Sequence, residues 1–405
     1  MSYLKLLTFL CNSARIGTSF KNKLPKGRNG DKKMKKTLLK VFCMLLCVAM
    51  LVPCFASCGD DSEKESFMIG ATGPLTGGAA SYGISVKQGA ELAIKHLNAK
   101  EDGLKFTFKM LDDMAEAEPA ASNYDTLMDQ GMQFSLGAVT SGSGEAFAKK
   151  ANAEKVFCMT PSGSADPVIK DLKYSFRLCF GDPDQGVLAA QEIKAKGYTN
   201  VGAIYDESDS YSSGIYAAFK AEMANLGISY NEQKFDNENN TDFTAQAEAL
   251  KGCDVVFMPF YYTEASLFIK KSVEKNSSAV FFGCDGFDGI AGLVTDVDNT
   301  ITYITPFDAK STEASVKAFV DAYKAEYNAE PDQFAADAYD VVMVLAAALE
   351  KAGVTNYDLT FAELGDILYD TITASDFSYD GLTGSGMTWS KDGKCTKAPK
   401  MVTLE

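Results

Sequence analysis

A turn rich in serine and glycine holds the residues of this chain that are best suited to bind an anion. Ser-Gly-Ser-Gly-Glu, at residues 141–145, leads from a strand candidate at residues 134–139 into a helical stretch at 146–153. The first backbone N–H groups of a helix have no intrahelical partner and lie at the positive end of its dipole. The Ser141 hydroxyl can add a further donor. The alternative is that Ser141 only caps the helix.

Asp285 is the candidate partner for a positive charge. It lies in Gly-Cys-Asp-Gly at residues 283–286, directly after an apolar strand candidate at 279–282. Because α/β proteins bind ligands at the carboxyl ends of their strands, a carboxylate at this point is expected to face a cleft. The alternative is a turn aspartate that bonds its own backbone.

Short apolar strands and amphipathic helices alternate along the chain and would position these residues. The strand candidates are residues 67–71, 106–111, 134–139, 156–159, 201–205, 255–259, 279–282 and 301–304. Helical periodicity appears at residues 85–97, 216–226, 242–250, 312–327 and 332–352. This alternation predicts an α/β fold with mostly parallel sheets covered by helices.

The spacing predicts two such Rossmann-like units, or lobes. We expect lobe I to comprise residues 66–181 and 306–375, and lobe II to comprise 182–305 and 376–405. Crossings are expected at residues 182–186 and 305–306, and a strand at 387–393, followed by an Asp-Gly turn, could pair with lobe II through a third. A hinge of three segments implies a cleft between the lobes.

Residues 1–57 have the composition of a targeting segment. They contain 11 of the 39 Lys and Arg residues and one of the 54 Asp and Glu residues. A basic cluster at 32–40 precedes 15 uncharged, mostly apolar residues, 41–55, and then Ala-Ser-Cys at 56–58. This order is typical of a bacterial lipoprotein signal peptide, in which Cys58 receives the lipid. Phe55 stands where such a signal usually has Leu.

We therefore expect residues 34–57 to be a signal peptide and residues 58–65 to be a flexible tether. Residues 1–33 are interpreted as an overlong gene prediction before a true start at Met34. The alternative is an uncleaved membrane anchor, which Pro53 and the short apolar run disfavour.

The part of the chain after residue 57 has 25 more acidic than basic residues. This excess argues against nucleic acid as a partner and against a broad contact with anionic lipid. The five cysteines after Cys58 are widely spaced and form no Cys-x-x-Cys, so we expect buried free thiols and no metal site.

Residue patterns of common enzymes are missing from the sequence. The single histidine, His96, lies on an amphipathic helix and is interpreted as structural. No Gly-x-Ser-x-Gly elbow, P-loop or dinucleotide fingerprint occurs. Acidic pairs such as Asp112-Asp113 could bind a cation, but surface carboxylates are the commoner explanation. We expect no enzymatic activity, no cofactor and no metal.

The chain from Phe67 onward resembles the substrate-binding proteins of branched-chain amino acid ABC transporters, the leucine/isoleucine/valine-binding type with a periplasmic binding protein type I fold. Short fragments in the family's order carry the resemblance. They are residues 69–77, 82–83, 89–90, 137–143, 160–164, 176–177, 182–186, 205–206 with Tyr211, 261–262 and 283–286.

The resemblance implies which residues hold an amino acid. Ser141 and Ser164 would bind its carboxylate, and the backbone of Ser162 would contact its ammonium group. Tyr261 and Asp285 would also contact the ammonium group, although the family often has the longer Glu at the position of Asp285. Three aromatic residues would surround the ligand side chain or form part of the core: Tyr82, Tyr211 and Phe334. The resemblance also implies that a disulfide found in some members is missing, because Thr140 stands where those members have one of its cysteines.

The resemblance also implies a function. We expect an exported, lipid-anchored, monomeric receptor on the outer face of the cytoplasmic membrane that delivers a branched-chain or related hydrophobic amino acid to an ABC permease. One alternative is a ligand-sensing receptor of the same fold. Another is a transporter binding protein for a non-amino-acid solute such as an amide or a short peptide.

Overall fold

Two sheets organise residues 64–404, which are the residues that this computed structural model describes. The predicted signal peptide, the lipidation site Cys58 and most of the tether lie outside that range. The strands are β1 (Phe67–Gly73), β2 (Phe106–Asp112), β3 (Phe134–Ala138), β4 (Cys158–Thr160), β5 (Ser175–Arg177), β6 (Val201–Asp206), β7 (Tyr230–Phe235), β8 (Val255–Met258), β9 (Val280–Gly283), β10 (Ile301–Thr305) and β11 (Lys400–Thr403).

The strand order is β2-β1-β3-β4-β5 in the first sheet and β11-β10-β9-β8-β6-β7 in the second. Every pairing is parallel except that of β11 with β10. Central strands such as β3 and β8 are buried along their whole length, as apolar runs covered on both faces should be. The predicted α/β class with two Rossmann-like lobes is confirmed.

Helices connect the strands and cover both sheets. They are α1 (Ala80–Asn98), α2 (Ala117–Asp129), α3 (Ser141–Glu154), α4 (Asp182–Lys196), α5 (Ser210–Leu226), α6 (Thr244–Leu250), α7 (Tyr262–Glu274), α8 (Ala314–Tyr327), α9 (Gln333–Lys351) and α10 (Phe361–Ile372). No helix within residues 64–404 is both long enough and apolar enough to cross a membrane.

Helices α1 and α9 pack closely on lobe I and bring two aromatic residues together at its edge. A Cβ atom on Gly89 would lie 2.0 Å from the carbonyl oxygen of Ala335, so only glycine permits this approach of the two backbones. Tyr82 in the first turn of α1 therefore lies beside Phe334 in the first turn of α9, with 4.3 Å between ring centroids.

The chain passes between the lobes at three places, two of which differ from the expectation. Residues 182–186 form the first turn of α4, with Pro183 near its start, so the first crossing lies just before Asp182. The expected strand at 387–393 does not join the second sheet. Trp389 instead enters the core of lobe I, where its indole N–H donates to the Arg177 carbonyl at 3.0 Å.

The third crossing consequently comes after Lys397 rather than near residue 376. The Lys397 ammonium is buried and lies 2.6 Å from Asp337 Oδ1 and 2.6 Å from Thr383 Oγ1. These contacts attach the segment to α9 of lobe I, and the chain reaches the second sheet only at β11.

Candidate ligand-binding site

A small cavity between the lobes is lined by seven of the eight predicted ligand-binding residues. These seven are Tyr82, Ser141, Ser162, Tyr211, Tyr261, Asp285 and Phe334, and Val139, Thr140 and Gly286 complete the lining. The eighth residue, Ser164, is buried outside this lining. The structure thus gathers residues from both lobes around one space.

The start of α3 supplies free backbone donors to this cavity. The first hydrogen bond of the helix runs from Gly144 N to Thr140 O at 2.8 Å, so the preceding N–H groups have no helical partner. The Ser141 hydroxyl oxygen accepts a hydrogen bond from Ala165 N at 3.2 Å, which leaves its proton free to be donated to a ligand. Together these groups can hold a carboxylate.

Two further polar groups lie near this anion site. The Ser162 hydroxyl donates to the Val139 carbonyl at 2.7 Å, so any contact of Ser162 with a ligand is expected to use its backbone. Thr140 lines the cavity with a buried hydroxyl that has no partner among residues 64–404. Thr140 was expected only to replace a cysteine, and its role as a donor was not predicted from the sequence.

Asp285 lies across the cavity and leaves one carboxylate oxygen available. Its Oδ1 accepts hydrogen bonds from the Tyr211 hydroxyl at 2.6 Å, Gln185 Nε2 at 2.9 Å and Gly286 N at 3.0 Å. All three of these bonds go to Oδ1, so Oδ2 can face a cationic group. Burial raises the pKa of Asp285 to about 6, and the hydrogen bonds from Tyr211 and Gln185 oppose that rise.

Aromatic rings form the apolar part of the cavity wall. Tyr82 packs against Phe334, and the Tyr211 ring stacks on that of Tyr261 with 5.0 Å between centroids and 6° between planes. Burial raises the pKa of Tyr82, Tyr211 and Tyr261 well above that of an ordinary tyrosine, so all three hydroxyls are neutral. Such a wall suits an aliphatic or aromatic group.

Hydrogen bonds between the lobes close the cavity. The Tyr82 hydroxyl of lobe I donates to the Gly286 carbonyl of lobe II and accepts from Tyr262 N at 3.2 Å. Gln333 Nε2, from lobe I, donates to the Asp285 carbonyl at 2.5 Å. Thr263 of lobe II donates through its hydroxyl to the Gly78 carbonyl at 2.6 Å. The described conformation is therefore the closed one.

Gln185 and Gln333 both bind Asp285, and neither contact was predicted from the sequence. Gln185 holds the Asp285 carboxylate, and Gln333 holds its backbone carbonyl. Gln185 belongs to the Asp-Pro-Asp-Gln-Gly segment that carries the family resemblance, which was the available signal. No such motif in the sequence marked Gln333 as a contact of Asp285.

Among residues 64–404 there is no group of three or more His, Cys, Asp or Glu side chains that could hold a metal ion. All five described cysteines are free, and four of them are buried. His96 lies on α1, where its Nδ1 is 2.9 Å from the Tyr339 hydroxyl.

Known proteins share both the sequence pattern and this architecture. The family model described as periplasmic binding protein matches residues 66–404. The Leu/Ile/Val-binding protein BraC3 of Rhizobium johnstonii is 30% identical over 292 residues, which is 70% of this chain and 79% of that protein.

Two solved structures have similar folds. The branched-chain amino acid transporter substrate-binding protein LivJ of Streptococcus pneumoniae, in complex with isoleucine, has a TM-score of 0.74 at 28% identity, covering 84% of this chain and 96% of LivJ. An ABC transporter solute-binding protein from R. palustris, in complex with benzoate, has a TM-score of 0.75 at 19% identity, with 84% and 93% covered. The chain belongs to the periplasmic binding protein family, whose members act outside the cytoplasm.

Proposed function

We propose that this protein captures an α-amino acid with a branched aliphatic or related hydrophobic side chain and delivers it to an ABC permease. One observation carries the proposal: a single closed cavity has an anion site at the start of α3 and a carboxylate, Asp285, on the opposite lobe. An α-amino acid is a zwitterion and needs both groups. The aromatic wall suits its side chain. The relationship to Leu/Ile/Val-binding proteins supports the same ligand class.

The working mechanism assigns one charge of the ligand to each lobe. In the open state the ligand carboxylate binds at Ser141 and the free N–H groups of α3. The lobes then close and bring Tyr261 and Asp285 to the ammonium group, while Tyr82 joins the lobes. Ser164 is proposed to donate a further hydrogen bond to the ligand carboxylate from the hinge side of the cavity. The ligand shifts the equilibrium between the open and closed conformations only by the difference between its affinities for the two.

We further propose that the receptor is a monomer that remains at the membrane through a lipid on Cys58. The composition of residues 34–58 supports this proposal, since a basic cluster, an apolar run and a small-residue cleavage site occur in that order. The test is to express the full chain in bacteria and separate the membranes. Cys58→Ser should release into the soluble fraction a protein that still binds its ligand. Wild type found only in the soluble fraction would contradict the anchor.

A thermal-shift screen of the protein from Gly59 onward tests the ligand class. The panel should contain all the common amino acids, short peptides, amides and simple carboxylates such as benzoate. A ligand at 100 times its dissociation constant should stabilise the protein by about 2.7 kcal/mol. Stabilisation by leucine, isoleucine or valine is the expected result. Stabilisation by benzoate alone, or by no α-amino acid, would contradict the proposal and favour a different solute or a sensory role.

A further inference from the structure

Two carboxylates from opposite lobes lie at the start of helix α9. Asp332, on lobe I, is the N-cap residue of α9, and its Oδ1 accepts a hydrogen bond from Ala335 N at 2.9 Å. Asp288, on lobe II, accepts a hydrogen bond through its Oδ2 from Gln333 N, in the first residue of α9, at 2.9 Å. The first turn of one helix therefore binds a carboxylate from each lobe.

The carboxylate of Asp288 forms a contact between the lobes. Its Oδ1 accepts hydrogen bonds from Gly289 N at 3.1 Å and from the Tyr303 hydroxyl at 3.4 Å, both on lobe II. Its Oδ2 binds Gln333 on lobe I. Opening the lobes separates Asp288 from α9, and so from Asp332.

Both carboxylates line one cavity between the lobes, and the charged groups around it include no excess of cations. The titratable groups that face the pair from the neighbouring elements are Tyr303, Asp308, Lys310, Tyr323, Glu330 and Asp337. Burial raises the pKa of both tyrosines, which are therefore neutral. Glu330 and Asp337 each form an ion pair with a lysine, at 2.7 Å and 2.6 Å. Asp308 and Lys310 have opposite charges, so these surroundings do not neutralise two further carboxylates.

The two carboxylates ionise less readily in the closed state than in water. Burial raises the pKa of Asp332 from its ordinary 3.8 to about 7, and the negative charge of Asp288 raises it further. Burial also raises the pKa of Asp288, while the bonds from Gln333 N and Gly289 N oppose that rise. When the lobes separate, Asp332 loses its charged neighbour and both carboxylates become more accessible to water. Their affinity for a proton should then fall.

We propose that Asp288 and Asp332 form a proton-linked latch, in which one proton binds to the pair as the lobes close on the ligand. The inference rests on the proposed function, because it requires lobes that open and close around a ligand. The proton removes the repulsion between two negative charges that closure brings together. It also preserves the bond from Gln333 N to Asp288, since a protonated carboxyl group retains an acceptor oxygen. Low pH therefore favours the closed, ligand-bound form, and high pH favours release.

Linkage between the proton and closure gives the direction and the steepness of the pH dependence. Because the pKa of Asp332 is higher in the closed state, the favourable effect of the proton is complete below the ordinary pKa of 3.8 and is lost as the pH rises through about 7. One proton can change the affinity for the ligand by at most about tenfold per pH unit. From pH 5 to pH 8, the latch should therefore lower the affinity by about tenfold or more.

The test is calorimetric titration of wild type, Asp332→Asn and Asp288→Asn with L-leucine at pH 5, 6, 7 and 8. Each amide keeps an oxygen that can accept the N–H group of α9 but cannot ionise, so each variant removes the repulsion and retains the hydrogen bond. The ratio of each variant's affinity to that of wild type should rise by about tenfold or more from pH 5 to pH 8. Asp285 also titrates in this range, but its contribution cancels in the ratio, because all three proteins retain it.

Asp242→Asn is the matched control. Asp242 accepts bonds from Thr244 N and the Thr244 hydroxyl at the start of α6, and it is exposed. This variant should reproduce the wild-type pH profile. If Asp332→Asn and Asp288→Asn also follow that profile, or differ from it by the same factor at every pH, the pair is only a structural contact and the latch is overturned. The proposed function survives that result, whereas failure of every amino acid to bind wild type would overturn both.

A second measurement needs only the wild type and keeps the latch testable if neither variant folds. Titration with L-leucine at pH 6.5 in two buffers with different ionisation enthalpies gives the number of protons exchanged on binding. Net uptake of protons is expected, because the pair of Asp288 and Asp332 binds a proton as the lobes close. No uptake, or a release of protons, would overturn the latch.

Discussion

The hydroxyl of Tyr82, on lobe I, donates a hydrogen bond to the backbone carbonyl of Gly286 on lobe II. The same oxygen accepts a hydrogen bond from Tyr262 N, also on lobe II, at 3.2 Å. The ring of Tyr82 meanwhile lines the ligand cavity beside Phe334. One side chain therefore forms both a wall of the binding site and a contact that holds the lobes together.

Tyr82→Phe should weaken ligand binding although the aromatic ring still lines the cavity. The substitution keeps the ring but leaves a buried carbonyl and a buried N–H group unpaired in the closed state, at a cost of about 1–3 kcal/mol. Calorimetry with the best amino acid should show that loss. Tyr230→Phe is the control, because its hydroxyl bonds Tyr216 on lobe II, away from the cleft. Equal affinities for Tyr82→Phe and wild type would contradict the closing role.

Asp285→Ala should cost about 2–5 kcal/mol of binding free energy for an α-amino acid, because a buried charge pair loses one member. Calorimetry measures the effect directly. Asp254→Asn is the comparison, since Asp254 accepts bonds from Thr199 N and Asn200 N before β8, at the opposite end of the strand from the cleft. An Asp285→Ala protein that binds as tightly as wild type would rule out the ammonium contact.

Ser141→Ala should weaken binding less than Asp285→Ala does, by about 1 kcal/mol, the value of one neutral hydrogen bond. The free N–H groups at the start of α3 remain in this variant and continue to hold the ligand carboxylate. Calorimetric titration with the same amino acid measures this loss of binding free energy. A loss as large as that of Asp285→Ala would indicate that the hydroxyl, rather than the backbone, holds the carboxylate.

The stability of the ligand-free protein should depend on the protonation of Asp285. Because its pKa in the folded protein is raised to about 6, the protonated carboxyl stabilises the fold fully below about pH 4, and this stabilisation is lost as the pH rises through 6. Asp285→Asn keeps an oxygen that can accept the bonds to Oδ1 and cannot ionise. Wild type should therefore lose stability relative to Asp285→Asn between pH 4 and pH 7, by at most about 3 kcal/mol. Thermal unfolding at each pH measures the difference, and parallel profiles would contradict the assignment.

Lys397→Met should destabilise the protein by about 3–5 kcal/mol, because Asp337 would remain buried without its cation. Urea unfolding gives the value, and Asp337→Leu in the same chain should restore much of the loss. Lys394→Met should change stability by less than about 0.5 kcal/mol, since the Lys394–Asp392 pair is exposed. A small effect of Lys397→Met would mean that the third crossing is anchored by other contacts.

Hydrophobic patterning was sufficient to predict the central strands and the edge strand β2, but not the edge strands β5, β7 and β11. Strands such as β3 and β8 are continuous apolar runs, because both of their faces are covered. Strand β7 reads Tyr-Asn-Glu-Gln-Lys-Phe and lies at an edge where Phe235 is its one buried residue, so no apolar run marks it. The location of Trp389 also depended on a tertiary contact, its bond to the Arg177 carbonyl, which local sequence does not encode.

The site was predictable to the extent that charge and turn chemistry are local. Ser141 begins a helix after a buried strand and Asp285 follows another, and both positions are visible in the sequence. Gln333 was not predictable, because a neutral amide acquires its role only when the second lobe approaches.

The antiparallel pairing of β11 with β10 has a consequence for the order in which the protein folds. Residues 400–403 are synthesised almost one hundred residues after β10, with which they pair. Until then one edge of the second sheet has unpaired N–H and carbonyl groups, which are a site for association with other chains. The strands of the first sheet all lie before residue 178, so this sheet can complete its pairing earlier. A nascent chain that stalls before residue 400 should therefore aggregate through lobe II rather than through lobe I.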